Sequence, residues 1–224
     1  MRPLSAPQHT DRRKARTRRM LREALFALML EKGYETITIE DITERADVGR
    51  TTFYLHYKDK EELLLESIES IALDLKEQID RSVQTAPQNH ASSPNQRIFP
   101  HLAITILLKH AALNARLYLP ILRGEGTPRA PAHIRELIHQ MSLEYFTRRS
   151  ASPPGQTPPM PLDVLINFFS TSLLGMLTWW LENNLPFPPE QMAELYLQLF
   201  YHGAASLLAQ TTPAAPQMPD QFML

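Results

Sequence analysis

Apolar residues in this sequence recur at three- and four-residue intervals along nearly the whole chain, and no stretch alternates at every second position as a half-buried strand would. Leu21, Ala24, Leu25, Leu28 and Met29 form one such stripe, and Gly33 follows where a left-handed carboxyl cap ends a helix. The spacing predicts a first helix over about 11 to 32. Thr38 and Asp41 make an S/T-x-x-D/E start signal for a short second helix with Ile39, Ile42 and Ala46 on its apolar side. Asp47, Val48 and Gly49 form a turn, and Arg50 to Tyr57 a third, very short helix whose inward pair is Phe53 and Tyr57. Leu64, Ile68, Ile71, Leu75 and Ile79 carry a fourth helix over about 59 to 84. Breaker-rich segments near 85–96, 123–131 and 150–161 divide the remainder into helical stretches at about 98–122 (one helix or two), 131–149, 162–184 and 189–210. The fold class is therefore all-α.

A chain of 224 residues with 43% hydrophobic composition can bury a core in one or two domains. It contains no cysteine, which removes disulfides, thiolate zinc sites and cysteine nucleophiles and suits a reducing, cytoplasmic setting. There is no H-E-x-x-H, P-loop or G-x-S-x-G, and the Gly124-Glu125-Gly126 stretch has neither a preceding strand nor a third glycine. The eight histidines are scattered without a metal-ligand pattern. The expectation is a protein that is not an enzyme and that takes no cofactor and no metal. Val164 to Leu181 is uncharged and just long enough for a membrane span, but Asn167, Ser170, Thr171, Ser172 and Thr178 make it too polar for an isolated one. No membrane partner is expected.

Charge divides the chain. Residues 1–58 carry a net +4 and residues 59–224 a net −5, and within 11–22, "DRRKARTRRMLR", seven bases face one acid. Two short helices joined by a tight turn behind a longer supporting helix are the layout of a helix-turn-helix unit. With Phe53 and Tyr57 turned inward, Arg50, Thr51, Thr52, Tyr54, Leu55 and His56 face outward. Arginine at a helix start can read base edges, hydroxyls donate to phosphate oxygens, and a leucine can meet a thymine methyl.

The segment "ITIEDITERADVGRTTFYLHYKDKEELL" resembles the DNA-binding segment of TetR-type (TetR/AcrR) transcriptional regulators, over about residues 11–65. The resemblance implies an N-terminal three-helix DNA-binding domain and a C-terminal helical domain for dimerisation and sensing. It implies that Thr38 meets phosphate, that Arg50 and Thr51 lie near base edges, that Thr52, Tyr54 and His56 bind phosphate, and that Lys60 holds the DNA backbone. Asp47 stands where the family often has glycine and Gly49 where it often has serine. The domain limits expected are a disordered arm over 1–10, the DNA-binding domain over 11–58, the regulatory domain over 59–210 and a frayed tail over 211–224.

Family resemblance further implies a homodimer on a palindromic operator, most often a repressor released by a small-molecule effector. The sequence supplies a seam: helix 162–184 has one apolar face through Leu165, Phe169, Met176 and Trp180 and another through Val164, Phe168, Gly175 and Trp179, with Ser172 small enough for close approach. Leu195, Tyr196, Leu199 and Gly203 continue it on the last helix. The polar groups expected to line an effector pocket are His101, His110, Asn114, Tyr118 and Asn167. An alternative keeps the DNA-binding unit but makes the chain a co-activator or adaptor whose C-terminal domain answers to a protein partner, through an exposed apolar patch rather than an enclosed cavity.

Overall fold

The computed structural model describes residues 7–85, 95–149 and 161–209, with side chains over 12–85, 100–147 and 161–202. Every element in them is a helix: α1 (Pro7–Lys32), α2 (Ile39–Arg45), α3 (Arg50–Tyr54), α4 (Lys60–Thr85), α5 (Asn95–Leu113), α6 (Ala115–Arg123), α7 (Arg129–Arg149), α8 (Leu162–Glu182) and α9 (Pro189–Ala209). Helix α1 begins at Pro7, four residues ahead of the start expected from its apolar stripe, and proline is well suited to a first helical turn because its missing N–H has no partner there. Most of the expected arm and the tail beyond 209 lie outside the described residues.

Local chemistry sets the first four helices. Gly33 takes φ +75°, and its N–H donates to the Met29 carbonyl 3.1 Å away to close α1. Thr38 and Asp41 form a reciprocal capping box on α2. Asp47 makes the α2–α3 turn in the left-handed region at φ +53°, which a short polar side chain tolerates, and Gly49 caps α3 with no side-chain bond. Regular α-helix ends at Tyr54; beyond it Tyr57 N–H still reaches the Phe53 carbonyl at 2.9 Å, so the expected eight-residue third helix is five residues and a turn. Fully buried Phe53 and nearly buried Tyr57 pin this piece to Leu21, Leu25, Ile42 and Leu63.

Helix α4 spans about 39 Å at 1.5 Å per residue and belongs to both halves. Its first turns bury Leu63, Leu64 and Ile68 among α1–α3, where Leu117 and Ile121 of α6 and Ala130 of α7 join the same cluster. Its later turns bury Leu75 and Ile79 against Ile106 of α5. The stretch expected as one helix or two is two, bent by 100° at Asn114, whose side-chain amide donates to the His110 carbonyl at 2.8 Å.

The second core forms among α5, α6, α8 and α9 around Trp180, which is fully buried and donates from Nε1 to the Phe187 carbonyl at 3.0 Å. Helix α8 is long and apolar enough to cross a membrane by length and hydropathy, yet Ile166, Ser170, Leu173, Leu177 and Trp180 bury one whole side of it in the bundle. Trp180→Ala should destabilise the protein by about 3–5 kcal/mol. Chemical denaturation checks this, the midpoint falling at constant m.

Candidate functional site

The outward face of α3 carries the residues that the sequence assigns to it. Tyr54 is 58% and Leu55 79% exposed, Arg50 and Thr51 are exposed, and Thr52 and His56 are half-buried. The Tyr54 ring stands edge-on to buried Phe53, with centroids 5.6 Å apart, so packing fixes its direction. Arg50 forms an ion pair with Glu40 of α2 at 2.6 Å, both side chains more than half exposed. Burial, then the nearby positive charges of Arg18 and Lys14, hold the His56 pKa below the ordinary imidazole value against the opposing Glu66, which keeps the ring neutral near pH 7.

Two assigned contacts look different in three dimensions. Lys60 was expected to reach outward to phosphate, but its Nζ donates to the carbonyls of Tyr34 at 3.0 Å, Glu35 at 3.2 Å and Ile37 at 2.9 Å. It also sits 4.5 Å from the centre of the Tyr34 ring. All three ammonium protons are spent on the chain's own loop, so Lys60 is a staple between the α1–α2 loop and the start of α4. Thr38 is exposed, but both its N–H and its hydroxyl donate to Asp41 Oδ2 at 2.7 Å. Lys32 first, and Thr38 after it, hold the Asp41 carboxyl well below its usual range, so this acceptor stays ionised.

Beside this face, the exposed basic side of α1 meets α4 in a groove of about 530 Å³ lined by Arg12, Arg16, Arg18, Arg19, Arg22 and Tyr57. Glu66 lies at its base, accepting from Tyr57 at 3.2 Å and pairing with Arg18 at 3.4 Å. Arg22 donates to Ser70. The basic run is therefore near His56, whose pKa burial, and then Arg18 and Lys14, depress.

A second concavity, of about 470 Å³, lies between α4, α5, α6, α7 and α8. Its walls are mainly aliphatic and aromatic, among them Ile71, Leu75, Leu107, Leu137, Met141 and Phe169. Of the five polar groups expected there only Tyr118 lines it. His110 stands behind, its Nδ1 2.8 Å from the Tyr118 hydroxyl, and burial holds its pKa down despite Asp74. Asn114 is used at the α5–α6 break. His101 and Asn167 are exposed on outer helix faces and take no part in the walls. Polarity alone does not mark the walls, because a space this apolar is built from residues that read as ordinary core.

The turn between α6 and α7 connects this cavity to the DNA-binding half. Gly126, at φ +78°, lies flat on Tyr34: a Cβ there would stand 2.1 Å from Tyr34 Cδ1. Glu61 of α4 accepts from Thr127 Oγ1 at 2.5 Å and from Arg129 at 3.2 Å. The Gly-Glu-Gly stretch, unassigned by sequence, is a docking turn.

On α8 the outer strip is open: Val164, Phe168 and Trp179 are exposed at 54%, 57% and 40%, and an added Cβ on Gly175 would meet nothing within 4 Å. Leu199 of α9 is also exposed, and Leu165 and Leu195 are half-buried. Four residues expected in a seam, Phe169, Ser172, Met176 and Tyr196, also engage the chain's own core. Tyr196 is 3% exposed, donates to the Phe169 carbonyl at 2.8 Å and lies 3.0 Å from Ser172 Oγ, while Phe169 and Met176 pack on the same cluster. Gly203 lies outside the described side chains.

Residues 21–67 match the model of bacterial regulatory proteins of the tetR family, and residues 100–202 match a transcriptional regulator C-terminal region of the same family. The chain belongs to the TetR family. It is 28% identical over 190 residues to the uncharacterised HTH-type transcriptional regulator YxbF of Bacillus subtilis, the match covering 84% of this chain and 45% of that protein. The chain thus spans less than half the length of this curated relative. Its fold is similar to the fatty acid degradation regulator FadR of Bacillus halodurans, with TM-score 0.63 and 15% identity over 84% of this chain and 96% of that one. It is also similar to Thermus thermophilus FadR, solved with lauroyl-CoA, with TM-score 0.58 and 21% identity over 89% of this chain and all of that one.

The TetR-type DNA-binding half thus rests on an internal ammonium. Lys60→Met should remove about 1.5–3 kcal/mol of stability through the lost charged hydrogen bonds. Denaturant titration measures it, and an unchanged midpoint would count against the staple.

Proposed function

We propose that this TetR-family chain works in the cytoplasm as a homodimeric repressor, binding a palindromic operator through α3 and released when a small apolar molecule enters the cavity beside α4. The observation that carries the reading is that one helix, α4, is anchored at its start in the DNA-binding core and walls the cavity further along. A ligand can shift DNA affinity only by binding two arrangements unequally. The route available is the α6–α7 turn: both helices wall the cavity, and their connection rests on Tyr34 and Glu61. The crystallised FadR of Thermus thermophilus holds lauroyl-CoA, which supports reading such a space as an effector site.

On the DNA side, Arg50 exchanges Glu40 for a base edge at little cost, because an exposed ion pair contributes only about 0–1 kcal/mol. Thr51 lies beside it near the bases, Thr52, Tyr54 and His56 take phosphate, Leu55 takes an apolar base edge, and the α1 groove continues the positive surface. For the dimer, α8 packs inward on α7 and α9 on α5, leaving the Phe168, Gly175, Trp179 and Leu199 strip for a second copy. Two α3 helices about 34–36 Å apart then read successive major grooves.

Sedimentation at micromolar concentration should give a dimer, and a monomer would remove the seam. Arg50→Ala should relax base preference by about 1–3 kcal/mol, whereas Tyr54→Ala should weaken cognate and random DNA alike. Competition binding on both DNAs separates the two, and equal loss for the Arg50 change would refute its base-reading role. Gly126→Ala, which forces the turn off Tyr34, should change operator affinity by about tenfold; fluorescence anisotropy reads it, and unchanged affinity would eliminate this coupling route.

A further inference from the structure

Two of the residues in the cavity wall, Tyr118 of α6 and Ser142 of α7, carry hydroxyls whose protons are already committed to the protein. Ser142 Oγ donates to the Ile138 carbonyl at 2.7 Å, one turn back on its own helix. Tyr118 Oη lies 2.8 Å from His110 Nδ1, and the two rings stand edge to face with centroids 5.5 Å apart, so packing and bond together fix the pair. Relative acidity places the shared proton. A phenol is a stronger acid than a neutral imidazole N–H, and the bare imidazole nitrogen is the stronger base, so Tyr118 donates and Nδ1 accepts. Burial, against the opposing charge of Asp74, keeps the ring neutral and so preserves the lone pair that this bond needs. Each of the two oxygens is left with lone pairs alone to offer the cavity.

We infer that the ligand of this cavity is a hydrogen-bond-donating lipophile, an alcohol or phenol, whose O–H bonds Tyr118 Oη. The inference rests on the reading of the cavity as the effector site. The mainly apolar walls take the body of the molecule, as they would for many lipophiles. The head is selected by the direction of the bond. Ketones, ethers, esters and ionised carboxylates bring acceptors only, so at Tyr118 their oxygen meets lone pairs and gains nothing for the water it gave up. Turning the Tyr118 proton toward such a ligand strips His110 Nδ1 of its partner. A hydroxyl head donates to Tyr118 and leaves the His110 bond intact. The contact bears on a helix that both halves share: Leu117 and Ile121, flanking Tyr118 on α6, lie in the core of the DNA-binding half.

The test is calorimetric titration of the full chain with two isomers, 1-decanol and 1-methoxynonane. The ether sheds its water more easily than the alcohol, so apolar burial alone favours the ether, whereas a donated bond should make 1-decanol bind about tenfold more tightly. This comparison needs no substitution and stands even where a variant fails to fold. Tyr118→Phe should abolish the lead by weakening 1-decanol about tenfold while leaving 1-methoxynonane unchanged. His110→Leu frees the Tyr118 proton, so it should close the gap from the other side, strengthening 1-methoxynonane about fivefold with 1-decanol little altered. If the ether matches or exceeds the alcohol on the unsubstituted protein, or if either variant leaves the gap as it was, the donor assignment is overturned and the cavity remains an effector site for another class. If neither isomer binds, the effector reading itself fails.

Discussion

The Lys60 ammonium, seated on three carbonyls of the α1–α2 loop, is the contact on which the arrangement of the two halves depends. The loop after α1 turns the carbonyls of Tyr34, Glu35 and Ile37 toward one point, and a compact ammonium with three protons answers all three at once. A planar guanidinium would not converge on such a triangle in the same way. Because Lys60 is the first residue of α4, the staple fixes where the long helix begins relative to α2 and α3. Tyr34, held under the ammonium, then offers its ring to Gly126. A single aromatic side chain is touched by the DNA-binding half from one side and by the regulatory half from the other.

Most of the helices were legible as sequence, because apolar spacing, capping boxes and glycine stops are local and act on the residues that carry them. Thr38 with Asp41 and Gly33 after α1 behave as their chemistry dictates. Even the two family departures are explained locally, Asp47 by its tolerance of positive φ and Gly49 by an extended conformation that asks nothing of its side chain. What was not legible was partnership. Periodicity says that Phe169 and Tyr196 are apolar-facing but not that they face each other across α8 and α9 within one chain. Likewise nothing in the spacing of Lys60 distinguishes a phosphate ahead from carbonyls behind, and the polarity of His101 and Asn167 says nothing of a cavity whose walls are mainly apolar.

The recognition surface and the capping network share an economy of charge. Arg50 is held by Glu40, Arg45 by Glu31 with bonds of 2.8 and 2.6 Å, and Arg18 by Glu66. These exposed pairs add little to stability. They do orient long side chains before any polyanion arrives, and they subtract positive charge from a basic surface that would otherwise hold any duplex indiscriminately.

Helix α4 serves both halves, yet no residue on the outward face of α3 lines the cavity. Substitutions that enlarge, shrink or recharge the cavity therefore leave the groove-facing side chains untouched, provided the first turns of α4 keep their place. On the proposed reading, a lineage built on this plan can change the molecule it answers to while keeping its address on the chromosome. Drift in one specificity is insulated from the other by a single rigid rod.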